Sequence, residues 1–208
     1  IQPHNMQWAL AQNMSSLEMQ WNQLIPQQEK GRKFEEKYAQ LQYMFVGGDI
    51  EKLSEMKADR AKESARLKWI AYKDQFFSTV LIAGDAFEST QMESTPMNAL
   101  SRHIKEYKTT ASLPFDITGK KNVDLKYYFG PNHYNTLKAY DKDVEKSERL
   151  HLNELVPLGW KIVAWINKAL VIPMFDLFSS WGLHIGIVIL LMTLVIKLII
   201  LPFVFASY

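Results

Sequence analysis

The chain has 208 residues, of which 48% are hydrophobic and 22% charged, with a formal net charge of +2 and no cysteine. That length suffices for one good core or two small ones. The near balance of charge excludes the concentrated basic face that a nucleic-acid partner would need, and the lack of cysteine excludes disulfides and thiolate metal sites. The average hides a split, because nearly all the charge lies before residue 158 and the end of the chain is almost uncharged.

In chain order, residues 6–10 alternate with Met6, Trp8 and Leu10 on one face, and residues 17–21 alternate with Leu17, Met19 and Trp21. Both read as half-buried strands joined by a turn at residues 13–16. A charged patch follows Pro26 over 27–37, and the aromatic, β-favouring run 38–46 predicts a strand that ends at the turn Gly47-Gly48-Asp49. Residues 50–66, dominated by Glu, Lys, Asp and Ala, are expected to form an exposed loop or a short surface helix. Residues 67–82 are the apolar heart of this part. Their β-branched and aromatic content predicts one long strand or two consecutive ones, ended by Gly84-Asp85, with a helix over 67–77 as the alternative.

The polar stretch 88–95 reads as a loop and 99–107 as a further strand. Val123, Leu125, Tyr127 and Phe129 alternate with Asp124, Lys126 and Tyr128, which predicts a strand stopped by Gly130-Pro131. Asn132 is the expected cap of a helix over 133–140. Many strands followed by helices predict a β-sandwich with helices at its C-terminal end. The domain boundary is expected within 151–157, giving a sandwich domain over 1–157.

Residues 158–172 read LGWKIVAWINKALVI. At 100° per residue, Lys161, Ala164, Asn167 and Lys168 gather on one side and the apolar residues occupy the rest, with Trp165 at the border. This pattern suits a helix lying in a membrane interface, with Trp160, Trp165 and Trp181 at headgroup level. A helix buried against the β-domain is the alternative. Pro173 is expected to break or kink this helix, which resumes over 174–180, so that 158–180 forms one interfacial element.

Residues 183–205 are almost wholly apolar and long enough to cross a bilayer as one helix, within a C-terminal segment 181–208. Lys197 lies inside this span. A charge there costs at least about 2.5–3.5 kcal/mol unless something compensates it, which marks the residue as functional. Gly186, Thr193 and Lys197 fall within about 40° of one another on a helix and form a small-or-polar stripe. Pro202 leaves the carbonyl of Leu198 without its helical donor. The stripe favours a water-filled cavity; a snorkelling anchor and an ion pair to another helix are the alternatives. The chain begins at Ile1 with no signal-peptide pattern and ends at Tyr208 without a basic flank, and so reads as an internal piece of a longer membrane protein.

The five histidines, His4, His103, His133, His151 and His184, have no metal-ligand spacing. With no nucleophile elbow and no phosphate loop, neither catalysis nor a metal or cofactor is expected. A sandwich tethered by one helix, acting as an envelope binding or sensing module, is the rival reading, but a plain tether has no need of Lys197 and its stripe.

Several motifs in order resemble the YidC-type membrane protein insertases of the YidC/Oxa/Alb family, in the Gram-negative form with a large periplasmic domain. Thr193 through Pro202 (TLVIKLIILP) is similar to the first core helix, with a threonine four residues before a basic residue and a proline five after it. Trp181-Gly182 resembles the start of that helix. Residues 159–180 resemble the amphipathic helix on the outer membrane face, and Tyr128-Phe129-Gly130-Pro131 the end of the periplasmic domain. Where the family usually has arginine this chain has Lys197, a compact charge that loses its proton more readily when dehydrated, so the implied role calls for a wet cavity.

The resemblance implies an insertase and chaperone of the bacterial inner membrane, multi-pass at full length, with residues 1–180 on the periplasmic side. Gly186, Thr193 and Lys197 would line a hydrophilic groove that receives nascent membrane proteins, alone or with the Sec translocon. A ribosome would be engaged through cytoplasmic parts outside this chain, and no nucleotide or other cofactor is implied.

Overall fold

The computed structural model describes residue 1, residues 13–118, residue 120 and residues 122–206. They fall into two compact units, Ile1–Val156 and Pro157–Tyr208.

The first unit contains β1 (Ser16–Pro26), α1 (Arg32–Tyr38), β2 (Gln40–Phe45), β3 (Ile50–Lys52), β4 (Asp59–Glu63), β5 (Leu67–Lys73), β6 (Phe77–Phe87), β7 (Ser89–Pro96), β8 (His103–Pro114), β9 (Leu125–Pro131) and α2 (Tyr134–Lys138). The strands form two antiparallel sheets, ordered β1-β8-β7-β4 and β3-β2-β5-β6-β9. One core joins residues of both sheets, Leu41, Tyr43, Ile70, Tyr72 and Leu81 meeting Met92, Tyr107, Ala111 and Leu113. This is the predicted sandwich.

The second sheet is covered on its outer face as well. There Met44, Trp69, Ala71, Val80, Ile82 and Tyr128 pack under Leu137 of α2 and under Leu152 and Leu155 of a short 3-10 turn, Leu152–Leu155. The indole Nε1 of Trp69 donates to the carbonyl of Leu150 at 2.7 Å. A strand buried on both faces has no polar side to alternate with, which explains the continuous apolar run at 67–82. The run divides at the turn before Phe77, where the Asp74 carboxylate accepts from the backbone N–H groups of Phe76 and Phe77.

Several expectations are corrected. The region 50–66 holds two strands, β3 and β4, rather than a loop or helix. The charged sequence of β4 is tolerated because it is an edge strand half open to water, paired to β7 from Asp59↔Ser94 to Glu63↔Thr90. Residues 88–95 are not a loop. They form β7, whose inward positions are the small or flexible Thr90, Met92 and Ser94. Gly84-Asp85 does not end β6, which runs on to Phe87 with those two residues exposed. Gly84 is required there by close approach, since a Cβ would meet the carbonyl oxygen of Asp124 at 3.0 Å and its Cβ at 2.8 Å.

The strand expected at 99–107 begins only at His103 and extends to Pro114. The cap of α2 is His133, which accepts from the backbone of Thr136, not Asn132. Asn132 instead ties down the β5–β6 turn through the carbonyls of Asp74 and Gln75, and α2 gives way to 3-10 structure after Lys138. In β9, Tyr128 is the buried residue, while Tyr127 and Phe129 of the expected apolar face are exposed. Within 27–37, which was read only as a charged patch, α1 forms. Its Arg32 is stapled to the β7–β8 connection through the carbonyls of Met97, Ser101 and His103 at 2.8–3.0 Å. The strand expected at 6–10 lies outside the described residues.

Polar links cross between the sheets. The Tyr72 hydroxyl bonds to the carbonyl of Trp21 (2.8 Å) and to the Thr109 hydroxyl (2.6 Å), and its ring stacks on Trp21 with centroids 3.8 Å apart. Lys105, fully buried on β8, donates to the carbonyls of Ala39 and Glu55.

The second unit holds α3 (Lys161–Ile166), a π-helical turn (Asn167–Val171), α4 (Ile172–Ser180) and α5 (Ile185–Ala206). Pro173 does not break the helical path. The widened turn before it, in which the N–H of Ile172 reaches back to the carbonyl of Asn167, carries the chain into α4 with proline at its start, where the missing donor costs least. Gly182, at φ +69°, turns the chain between α4 and α5. The two helices pack through Met174 and Phe178 against Val188, flanked by Leu191, Met192, Val195 and Ile196.

Candidate functional site

Residues Ile185–Pro202 of α5 are long and apolar enough to cross a membrane, with a mean hydropathy of 2.8, and little of this stretch is buried. Repeated Ile, Leu and Val with a single charge give a helix that is greasy all round, apart from the stripe picked out by helical angle. Gly186, Thr193 and Lys197 line one open depression of about 530 Å³, together with Ile189, Leu190, Leu194, Leu198 and Leu201. The apolar members were not singled out from the sequence. The spacing of Ile189, Leu190, Leu194 and Leu201, three or four residues from a stripe member, is the signal that could have found them; Leu198 has no such spacing.

The depression lies on the far side of α5 from α4. Val188, nine residues before Lys197 and thus about 180° away on the helix, is buried against α4, whereas Lys197 is exposed. The polar inventory of the stripe is narrow. The Thr193 hydroxyl donates to the carbonyl of Ile189 at 2.8 Å, one turn back, so its proton is used inside the helix and only its lone pairs face outward. Lys197 supplies the ammonium donors, and it has no ion-pair partner among the described residues. Pro202 sits within α5, which continues to Ala206, and the carbonyl of Leu198 is deprived of a donor by the proline ring. A charged donor, a carbonyl to be satisfied and a glycine that lowers the wall make a lopsided polar seam in an apolar surface. Such a seam can attract and position an anionic group.

Of the residues expected at a membrane interface, Trp160, Trp165 and Trp181 are all largely exposed, and the rings of Trp181 and Phe178 meet edge to face with centroids 5.2 Å apart. Lys168 is exposed on the π turn, and Lys161 opens α3, its side chain lying outside the described set. The Asn167 amide donates to the carbonyl of Leu158 at 3.1 Å, tying the start of the helical segment to its own lead-in. No group of three or more His, Cys, Asp or Glu suited to a metal ion occurs among the described residues.

The described residues thus define a two-sheet sandwich followed by helices, the last of them long and apolar enough to cross a membrane. The family described as the YidC periplasmic domain matches residues 3–173, and the chain belongs to that family. Proteins named membrane protein insertase YidC are similar throughout. That of Parabacteroides distasonis is 48% identical over 199 residues, covering 96% of this chain and 31% of the relative. Those of Bacteroides fragilis and Porphyromonas gingivalis are 43% and 34% identical, each covering 100% of this chain and 33% of the relative. The chain thus spans about a third of the length of the curated relatives it matches.

Proposed function

We propose that this chain is part of a membrane protein insertase and chaperone of the bacterial inner membrane. In this reading residues 1–157 form a periplasmic sandwich, 158–180 an amphipathic segment in the outer interface, and 181–208 the first core membrane helix, running from periplasm to cytoplasm. The observation that carries the proposal is the placement of Gly186, Thr193 and Lys197 in one depression on the side of α5 that α4 leaves open. Family membership and relatives named as insertases support it.

The role of Lys197 follows from its cost. A lone ammonium in hydrocarbon is tolerated where a water-filled cavity keeps it solvated, and there it attracts acidic residues in the short translocated part of a nascent membrane protein. The groove would shorten the polar segment's path across the hydrocarbon, the remaining walls coming from other helices of the full-length protein. Cooperation with the Sec translocon, and with the ribosome through cytoplasmic parts, belongs to the same reading. No covalent step or cofactor is invoked.

Insertion of a substrate with acidic translocated residues, measured in a depletion strain complemented with full-length protein, tests this reading. Lys197→Arg should retain insertion. Lys197→Ala should reduce it by roughly tenfold, the equivalent of about 1.4 kcal/mol. Parent-like insertion by both variants would rule out the attraction of acidic residues.

A further inference from the structure

The five-stranded sheet ends at β9, and among the described residues no strand pairs with the far edge of β9. Just before β9, Val123 and Ile1 form a reciprocal backbone pair. The N–H of Val123 donates to the carbonyl of Ile1 at 3.0 Å, and the nitrogen of Ile1 donates to the carbonyl of Val123. Exchange of both bonds between the same two residues is the mark of antiparallel pairing.

The side of the strand on which this pair lies is fixed by its neighbour. Asp124 accepts from the N–H of Gly84 on the β6 side at 2.7 Å, so Val123 faces away from β6. By alternation, Leu125, Tyr127 and Phe129 also aim their backbone groups away from β6, along the line that Ile1 already occupies. Because the pairing is antiparallel, chain preceding Ile1 runs alongside β9.

The side chains on this edge are short of cover. Tyr127 is 59% exposed and Phe129 71% exposed, and both lie on the face that turns towards the first sheet, where Tyr127 and Trp21 meet edge to face with ring centroids 6.1 Å apart. Phe77, the cross-strand neighbour of Pro131, is 42% exposed at the same end. An edge strand with unpaired backbone groups and bare aromatic rings is a template for one more strand. The curated relatives are about three times as long as this chain, so they have residues to supply one.

We propose that the residues immediately preceding Ile1 in the full-length protein form a strand antiparallel to β9 and close this edge of the sheet. The Ile1–Val123 pair sets its register. The second residue before Ile1 lies opposite Leu125, the fourth opposite Tyr127 and the sixth opposite Phe129, with the side chains of these three covering the exposed rings. The third residue before Ile1 faces Lys126 as a non-hydrogen-bonded pair, with Cα atoms about 4.5 Å apart, close enough for a disulfide.

Full-length protein in a cysteine-free background, carrying Lys126→Cys and a cysteine at the third residue before Ile1, tests the register. Mild oxidation should cross-link the two within one chain at least about tenfold more than when the second cysteine is two or four residues before Ile1, where it points to the opposite face. Equal yields at the three positions, no cross-link in folded protein, or a cross-link joining two chains through Lys126→Cys would overturn the proposal. Hydrogen exchange on the unsubstituted full-length protein gives an independent readout. The amides of Tyr127 and Phe129 should exchange at least about a hundredfold more slowly than in an unstructured chain, and exchange at the unstructured rate would also overturn it.

Discussion

Lys73 and Lys105 are both 1% exposed, and burial pulls their ammonium groups down from 10.5 to about 8. In the unfolded chain each keeps its proton until about pH 10.5. Between pH 8 and 10.5 the unfolded state therefore binds more protons, and stability rises with pH across that window. Below pH 8 the burial cost is present in full, on the order of 3 kcal/mol for each lysine. The buried tyrosines work in the opposite sense. Burial holds the hydroxyls of Tyr72 and Tyr107 above their ordinary value of 10, so above about pH 10 the unfolded state releases protons that the folded state keeps, and stability falls. Calorimetric unfolding should thus show the sandwich gaining stability from about pH 8 to about 9.5 and losing it again above 10. Lys105→Met should flatten the rising limb, whereas a limb unchanged in both Lys105→Met and Lys73→Met would show that these lysines are not its source.

At the scale of elements, the π turn before Pro173 sets an expectation for the segment read as interfacial. The insertion of one residue per turn rotates the faces after it relative to those before. A nitroxide scan from Gly159 to Ile172 in bilayers should show lipid accessibility recurring every three to four residues, with a slip in phase across Asn167–Val171. Uniform water exposure would remove the interfacial assignment. This slip is invisible in the sequence, because a uniform 100° per residue carries no mark of a π turn. The same limitation explains the other misreadings. A period-two pattern identified β1 because one of its faces is drier than the other, and β9 although Tyr127 and Phe129, which gave its alternation, are exposed; the long apolar run revealed β5 and β6 because both of their faces are dry. The strands β4 and β7 were missed because edge position and small inward polar residues remove the contrast that the pattern depends on. The apolar helix α5 and the common side of Gly186, Thr193 and Lys197 were legible, because helical angle alone brings these three together, whereas the apolar residues that share their depression were not.

Across the whole chain, the two units are stabilised in different ways. The sandwich draws on a core between its sheets and a second one on the outer face of the larger sheet, where α2 and residues 150–156 act as a lid over Trp69. The helical unit has one small contact, between α4 and α5, and otherwise presents apolar surface to its surroundings. That difference fits the proposed reading, in which the first unit lies in the periplasm and the second enters the membrane.

In the proposed reading, the half-turn between Val188 and Lys197 gives α5 two tasks with no shared atoms. Its packing side and its charged side can therefore change separately, and their energies should simply sum. Val188→Ala, which opens space against Phe178, and Lys197→Ala should each lower insertion, and the defect of the double variant should equal the product of the two within about twofold. A larger departure would mean that the helix transmits strain from one side to the other. Independence of this kind would leave the charged side free to be retuned for different cargo without loosening the helix from its neighbour.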